Sequence, residues 1–125
     1  MVFSEDFYHS LFNNMLHGFA YCKVEFDSEH KAIDYSYVIV NDAYESLTGL
    51  KDITGKKASE VMPGLLESNP AYFEMLGRII SSGKPEKFET YVALLEKWFS
   101  ISIYCPGKDY IVALVDNISE QKESE

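Results

Sequence analysis

The sequence predicts an α+β domain, one antiparallel sheet with helices on one side. Three observations carry this. The chain has 125 residues, enough for one hydrophobic core. Its composition is globular, 46% apolar and 14% aromatic. Its hydrophobic period runs helical, alternating, helical, then alternating again through three consecutive strands.

The elements follow in order. Phe3, Phe7, Leu11 and Met15 recur at helical spacing, predicting an amphipathic N-terminal helix stopped by Gly18. From Phe19 to Asp27 the period becomes two, with Ala20, Cys22, Val24 and Phe26 on one face. A polar turn leads to a second strand, Ala32 to Asn41, whose Tyr35, Tyr37 and Ile39 share a face. Asp42 to Thr48 reads as a short helix ending at Gly49, and Ala58 to Met62 as another helical turn closed by Pro63-Gly64. Asn69-Pro70 opens a longer helix, proline being tolerated in the first turn, with Phe73, Leu76, Ile79 and Ile80 as its buried stripe. Three strands complete the pattern: Glu86 to Leu95, Trp98 to Cys105, and Asp109 to Val115, joined by Glu96-Lys97 and Pro106-Gly107-Lys108. The polar end after Ser119 is compatible with a helix. This divides the chain into a cap helix (1–17), a core (18–119) and the start of a linker helix (120–125).

Charge narrows the function. Eleven basic and twenty acidic residues give −9, which disfavours nucleic acid and anionic membrane as partners. The N-terminus lacks a basic segment followed by an apolar run, and two cysteines without CxxC spacing predict a reduced, cytoplasmic chain. Gly49 to Lys57 only partly matches a phosphate loop: five residues separate Gly49 from Gly55, and Lys57 stands where Ser or Thr is required. His9, His17 and His30 have no metal-ligand spacing, and no GxSxG is present, so neither a metal site nor an enzyme is expected.

Val40-Asn41-Asp42-Ala43-Tyr44-Glu45-Ser46-Leu47-Thr48-Gly49-Leu50 resembles the signature of the PAS family, in which a strand ends in Asn-x-Ala-aromatic and a short helix ends in Leu-Thr-Gly. Ile53-Thr54-Gly55-Lys56, Ser59-Glu60-Val61-Met62-Pro63-Gly64, Gly83-Lys84-Pro85, Trp98 to Tyr104 and Asn117-Ile118-Ser119-Glu120-Gln121-Lys122 resemble further family stretches in the family's order. The likeness covers about residues 10 to 122. It implies a five-stranded antiparallel sheet in the order 2-1-5-4-3. With that order, the strands of Cys22 and Cys105 lie about 10 Å apart, too far for a disulfide.

The resemblance also implies a sensory module of a bacterial or archaeal signalling protein, such as a histidine kinase or diguanylate cyclase. Such a module takes a small ligand between sheet and helices and relays to an effector through its C-terminal helix. The alternative is a ligand-free dimerisation module with a filled core. Strand alternation and the family's register together assign Tyr35, Tyr37, Ile39, Tyr44, Phe88, Thr90, Trp98, Ser100, Ser102, Ile111 and Ala113 to the ligand-facing side, closed by Met62, Tyr72 and Leu76. Ser100 and Ser102 are expected to supply hydroxyls there. A homodimer is expected through Phe3, Phe7, Leu11 and Met15. The cofactor is unassigned. LOV-type flavin is disfavoured because Ala58 stands at the position of the family's reactive cysteine, and Val115 at that of its flavin-binding Gln. Haem is disfavoured because residues 69–82 contain no His or Cys. Asn117 replaces the family's closing Asp, which puts that residue's ion pair in doubt.

Overall fold

The structure, a computed structural model, describes residues 16–124. The expected N-terminal helix, with Phe3, Phe7, Leu11 and Met15, lies outside the described residues. Ten elements follow: β1 (Gly18–Phe26), β2 (Ala32–Val40), α1 (Asp42–Thr48), α2 (Ala58–Val61), α3 (Leu65–Ser68), α4 (Pro70–Ser82), β3 (Glu86–Val92), β4 (Lys97–Gly107), β5 (Tyr110–Asn117) and α5 (Ser119–Glu123). The strands form one antiparallel sheet in the order β2-β1-β5-β4-β3. This is the order implied by the resemblance. Helix α3 was not expected; four residues are too few to show a helical period.

Helix α1 forms where the sequence places it because both ends are specified locally. The Asn41 side chain accepts from Tyr44 N, and Gly49 closes the helix in a left-handed conformation at φ 80°. Pro70 occupies the first turn of α4, and Gly83 ends it at φ 73°. Phe73, Leu76 and Ile79 of α4 are buried against the sheet, as is Met75. Ala20, Cys22 and Val24 of β1, Ile111, Ala113 and Val115 of β5, and Phe99, Ile101 and Ile103 of β4 supply the sheet's side of the core.

The edge of β2 is covered rather than left open. Tyr37 N donates to Lys56 O (3.0 Å) and Gly55 N donates to Tyr37 O (2.7 Å), so the chain before α2 occupies the free ladder positions. Asp34 ties the same region down: Ser59 N (3.1 Å) and Ser59 Oγ (2.6 Å) both donate to its carboxylate.

Two register details change the expected faces. The β1–β2 ladder runs Tyr21↔Ile39 and then Cys22↔Tyr37, so Val38 is an extra residue in β2. Tyr35 and Tyr37 therefore point inward, while Ile39, opposite Tyr21, points outward and is 46% exposed. In β4, Phe99, Ile101 and Ile103 take the inner face, which turns Trp98, Ser100 and Ser102 to the outer one. Burying a strand's continuous apolar set decides its parity, and Phe-Ile-Ile is more apolar than Trp-Ser-Ser.

Candidate functional site

A small cavity of about 50 Å³ lies between the sheet and the helices. Its walls come from Tyr35 of β2, Tyr44 and Thr48 of α1, Met62 and Leu65 near α2 and α3, and Asn69 and Tyr72 at the start of α4. The sheet completes it with Thr90 and Val92 of β3, Leu95 of the following turn, Phe99 and Ile101 of β4, and Ala113 and Val115 of β5. Asn69, Tyr72, Thr90, Val92 and Leu95 are only half-buried, and these residues form the side nearest solvent.

Of the residues expected to face a ligand, six line this cavity: Tyr35, Tyr44, Met62, Tyr72, Thr90 and Ala113. Tyr37, Leu76 and Ile111 are buried in the adjoining core, and Phe88 packs against it half-buried. Ile39, Trp98, Ser100 and Ser102 do not reach the cavity. The bulge at Val38 turns Ile39 away, and the parity of β4 turns the other three away. Ser100 and Ser102 instead border a shallow outer cleft with Lys87, Glu89, Leu114 and Asp116. Trp98 pairs with Tyr91 on that same face, ring centroids 5.6 Å apart. Phe99 and Ile101 take the places expected of the serines, and the alternation Phe-x-Ile-x-Ile was the available signal. Leu65, Asn69, Val92 and Leu95 enter through the unpredicted α3 and the loop ends.

Tyrosine hydroxyls therefore take the place of the serine hydroxyls. The Tyr37 and Tyr44 hydroxyls meet at 2.9 Å in the core, and either can donate. Tyr35 lies between Tyr37 and Tyr72. Its ring packs edge-on against both, with centroids 5.4 Å from Tyr37 and 6.1 Å from Tyr72. Burial holds all four phenols protonated: it pushes Tyr37 up to about 12 and raises Tyr35, Tyr44 and Tyr72 well above the ordinary phenol value. Thr48 is already committed, its hydroxyl donating to Tyr44 O at 2.6 Å.

The C-terminal segment is fastened next to this wall. Trp98, which precedes the wall residue Phe99, donates its N–H to Ser119 Oγ (3.0 Å), and its carbonyl accepts from Ile118 N (2.9 Å). Lys122 of α5 lies 5.0 Å from the Trp98 ring centroid and 2.7 Å from the Glu89 carboxylate. Asn117 Oδ1 accepts from Ser119 N (2.9 Å), so the residue in the place of the family's Asp acts as a local turn cap.

No protein-family model matches the sequence, and no curated protein matches it. Solved structures do match. An RNA-binding light-oxygen-voltage receptor is 15% identical at a TM-score of 0.63, over 94% of this chain and 33% of that one. The chain thus spans about a third (33%) of that receptor's length. The PAS domain of BvgS from Bordetella pertussis is 16% identical at a TM-score of 0.62, over 95% of this chain and 89% of its own. The chain has the PAS fold. A domain of the sensory box sensor histidine kinase/response regulator from Geobacter sulfurreducens also matches, at 19% identity and a TM-score of 0.52, over 88% of this chain and 90% of its own. Among the described residues of this PAS-fold chain, no group of three His, Cys, Asp or Glu side chains could hold a metal, and no helix is long and apolar enough to cross a membrane.

Proposed function

We propose that this PAS domain is a sensory or regulatory module that admits a small ligand between its sheet and helices and passes the change to an effector through α5. The observation that carries this is the cavity itself. Its walls are mainly apolar, a few polar groups converge on it, and its Asn69–Tyr72–Leu95 side is partly open to solvent. A route outward exists through consecutive residues, because Phe99 is a wall residue and Trp98 is bonded to the start of α5. Among the described residues, the wall includes no carboxylate, histidine or cysteine, which supports binding rather than acid–base catalysis.

The size of the cavity weighs against a large cofactor. Drug-sized ligands occupy roughly 300–1,000 Å³, whereas this cavity holds about 50 Å³. The same observation favours a second reading, a domain with a filled core that works as a dimerisation relay, with Phe3, Phe7, Leu11 and Met15 in the interface.

Native mass spectrometry, compared with the denatured mass, together with a small-molecule titration followed by NMR, separates the two readings. A retained mass, or saturable shifts of cavity residues, supports the sensory reading. A bare mass with no shift from any probe leaves the relay.

A further inference from the structure

The four core tyrosines pack ring to ring in a row, Tyr72–Tyr35–Tyr37–Tyr44, and each phenolic hydroxyl has one proton to donate. Four hydroxyls carry four protons but share at most three links, so at least one proton has no partner inside the row. The ends of the row are Tyr72 and Tyr44, and both lie on the cavity wall. Among the described residues, the Tyr37–Tyr44 contact is the one short hydrogen bond these hydroxyls make. Tyr35 and Tyr72 make no such contact among the described residues and both line the cavity, so their phenolic protons are available to a molecule inside it.

We infer that the cavity selects a small, uncharged molecule carrying one hydrogen-bond acceptor, such as a carbonyl oxygen, which accepts the spare tyrosine proton while apolar walls enclose the rest. The inference rests on the sensory reading above. Charge argues the same way. Among the described residues, the wall has no Lys or Arg to receive an anion and no carboxylate to receive a cation, and an unpaired ion in so apolar a site is strongly disfavoured. Protonated phenols need an acceptor, and burial keeps these phenols protonated. Size sets the scale: at about 50 Å³ the cavity has room for roughly three to five water-sized groups.

The test is a titration of the full chain, carrying ring-labelled tyrosine, with four probes of equal heavy-atom count: acetone, isobutene, acetate and trimethylammonium. Tyrosine ring signals are followed by NMR. Acetone is expected to shift the Tyr35 and Tyr72 signals saturably and to bind roughly 2- to 12-fold tighter than isobutene, the ratio that one net hydrogen bond supplies. Replacing the three wall tyrosines together (Tyr35→Phe, Tyr44→Phe, Tyr72→Phe) is expected to bring that ratio to one while isobutene still binds. Equal binding of acetone and isobutene by the unaltered chain overturns the inference and leaves the sensory reading standing. Tighter binding of acetate or trimethylammonium also overturns it. If no probe shifts any tyrosine, both the inference and the sensory reading fall.

Discussion

The backbone of Gly18 runs directly against that of Tyr44: a Cβ on Gly18 would stand 2.8 Å from Tyr44 Cα and 3.2 Å from Tyr44 N. The start of β1 and the first turn of α1 are thus in contact without room for a side chain, and the obstructing atoms are main chain. Gly18→Ala should destabilise the fold by about 1–3 kcal/mol. Gly77, inside α4, is the contrast, since a Cβ there meets nothing within 4 Å. Gly77→Ala should stabilise by about 0.5–1 kcal/mol through helix propensity. Urea unfolding of both variants checks the pair, and a neutral Gly18→Ala would contradict the close packing.

Asn41 joins the same two elements. Its Oδ1 accepts from Phe19 N (2.9 Å) and Tyr44 N (2.9 Å), and its Nδ2 donates to His17 O (3.1 Å). At 2% exposure no water replaces these bonds. Asn41→Ala should cost roughly 2–4 kcal/mol, combining a lost cap with stranded main-chain groups. A loss below about 0.5 kcal/mol in the same urea experiment would place it within the range of an ordinary surface change.

Where bonding is local, the sequence was legible. Asn41, Gly49, Pro70 and Gly83 each mark a helix end through their own chemistry, and α1 falls on the expected residues. What depended on pairing was not legible. The bulge at Val38 exists because Tyr21 and Cys22 pair with Ile39 and Tyr37, a relation between strands that β2 alone does not display. The face of β4 is readable from Phe99, Ile101 and Ile103, whereas the register taken from the resemblance assigns the opposite parity, with Trp98, Ser100 and Ser102, to the pocket. The cavity instead has phenols drawn from β2, α1 and α4, a convergence that only tertiary packing creates.

The two thiols should differ sharply in reactivity. Cys22 is 1% exposed, and burial pushes its thiol up to about 12. Cys105 is half-buried near the end of β4, its Sγ 3.1 Å from Gly107 O. A disulfide-exchange reagent at pH near 8 should label one thiol per folded chain and a second only in denaturant. Rapid labelling of both in the folded chain would contradict the burial of Cys22.

The buried phenols fix an alkaline limit. Tyr35, Tyr37, Tyr44 and Tyr72 hold their protons more tightly when folded than the ordinary value of about 10 for the unfolded chain. Their contribution to stability is therefore fully present below pH about 10 and is lost as pH rises through the folded values. In that window the unfolded chain binds fewer protons, so stability falls with pH. Each such tyrosine contributes at most about 1.4 kcal/mol per pH unit. A phenolate titration should show the four core tyrosines ionising together with loss of the fold. A single smooth transition near pH 10 with the fold intact would overturn this assignment.

Ala113 tests whether the cavity matters. It stands on β5 between Ala20 of β1 and Ile103 of β4, is 6% exposed, and forms part of the wall. Ala113→Val projects two further methyl groups toward a cavity of only about 50 Å³. Overpacking of this kind typically costs about 1–3 kcal/mol, and a pre-existing void lowers that cost. The variant should fold with a modest change in unfolding midpoint and lose binding of every probe that occupies the cavity. Emission from Trp98, the chain's one tryptophan, reports on the far end of the route, because Lys122 of α5 packs over its ring. In the unaltered chain a bound ligand should alter that emission by displacing Phe99 and with it Trp98; in Ala113→Val the response should vanish. A ligand that binds Ala113→Val as tightly as the unaltered chain, with the same change in emission, would show that the signal enters elsewhere, and the cavity would then be only a packing defect.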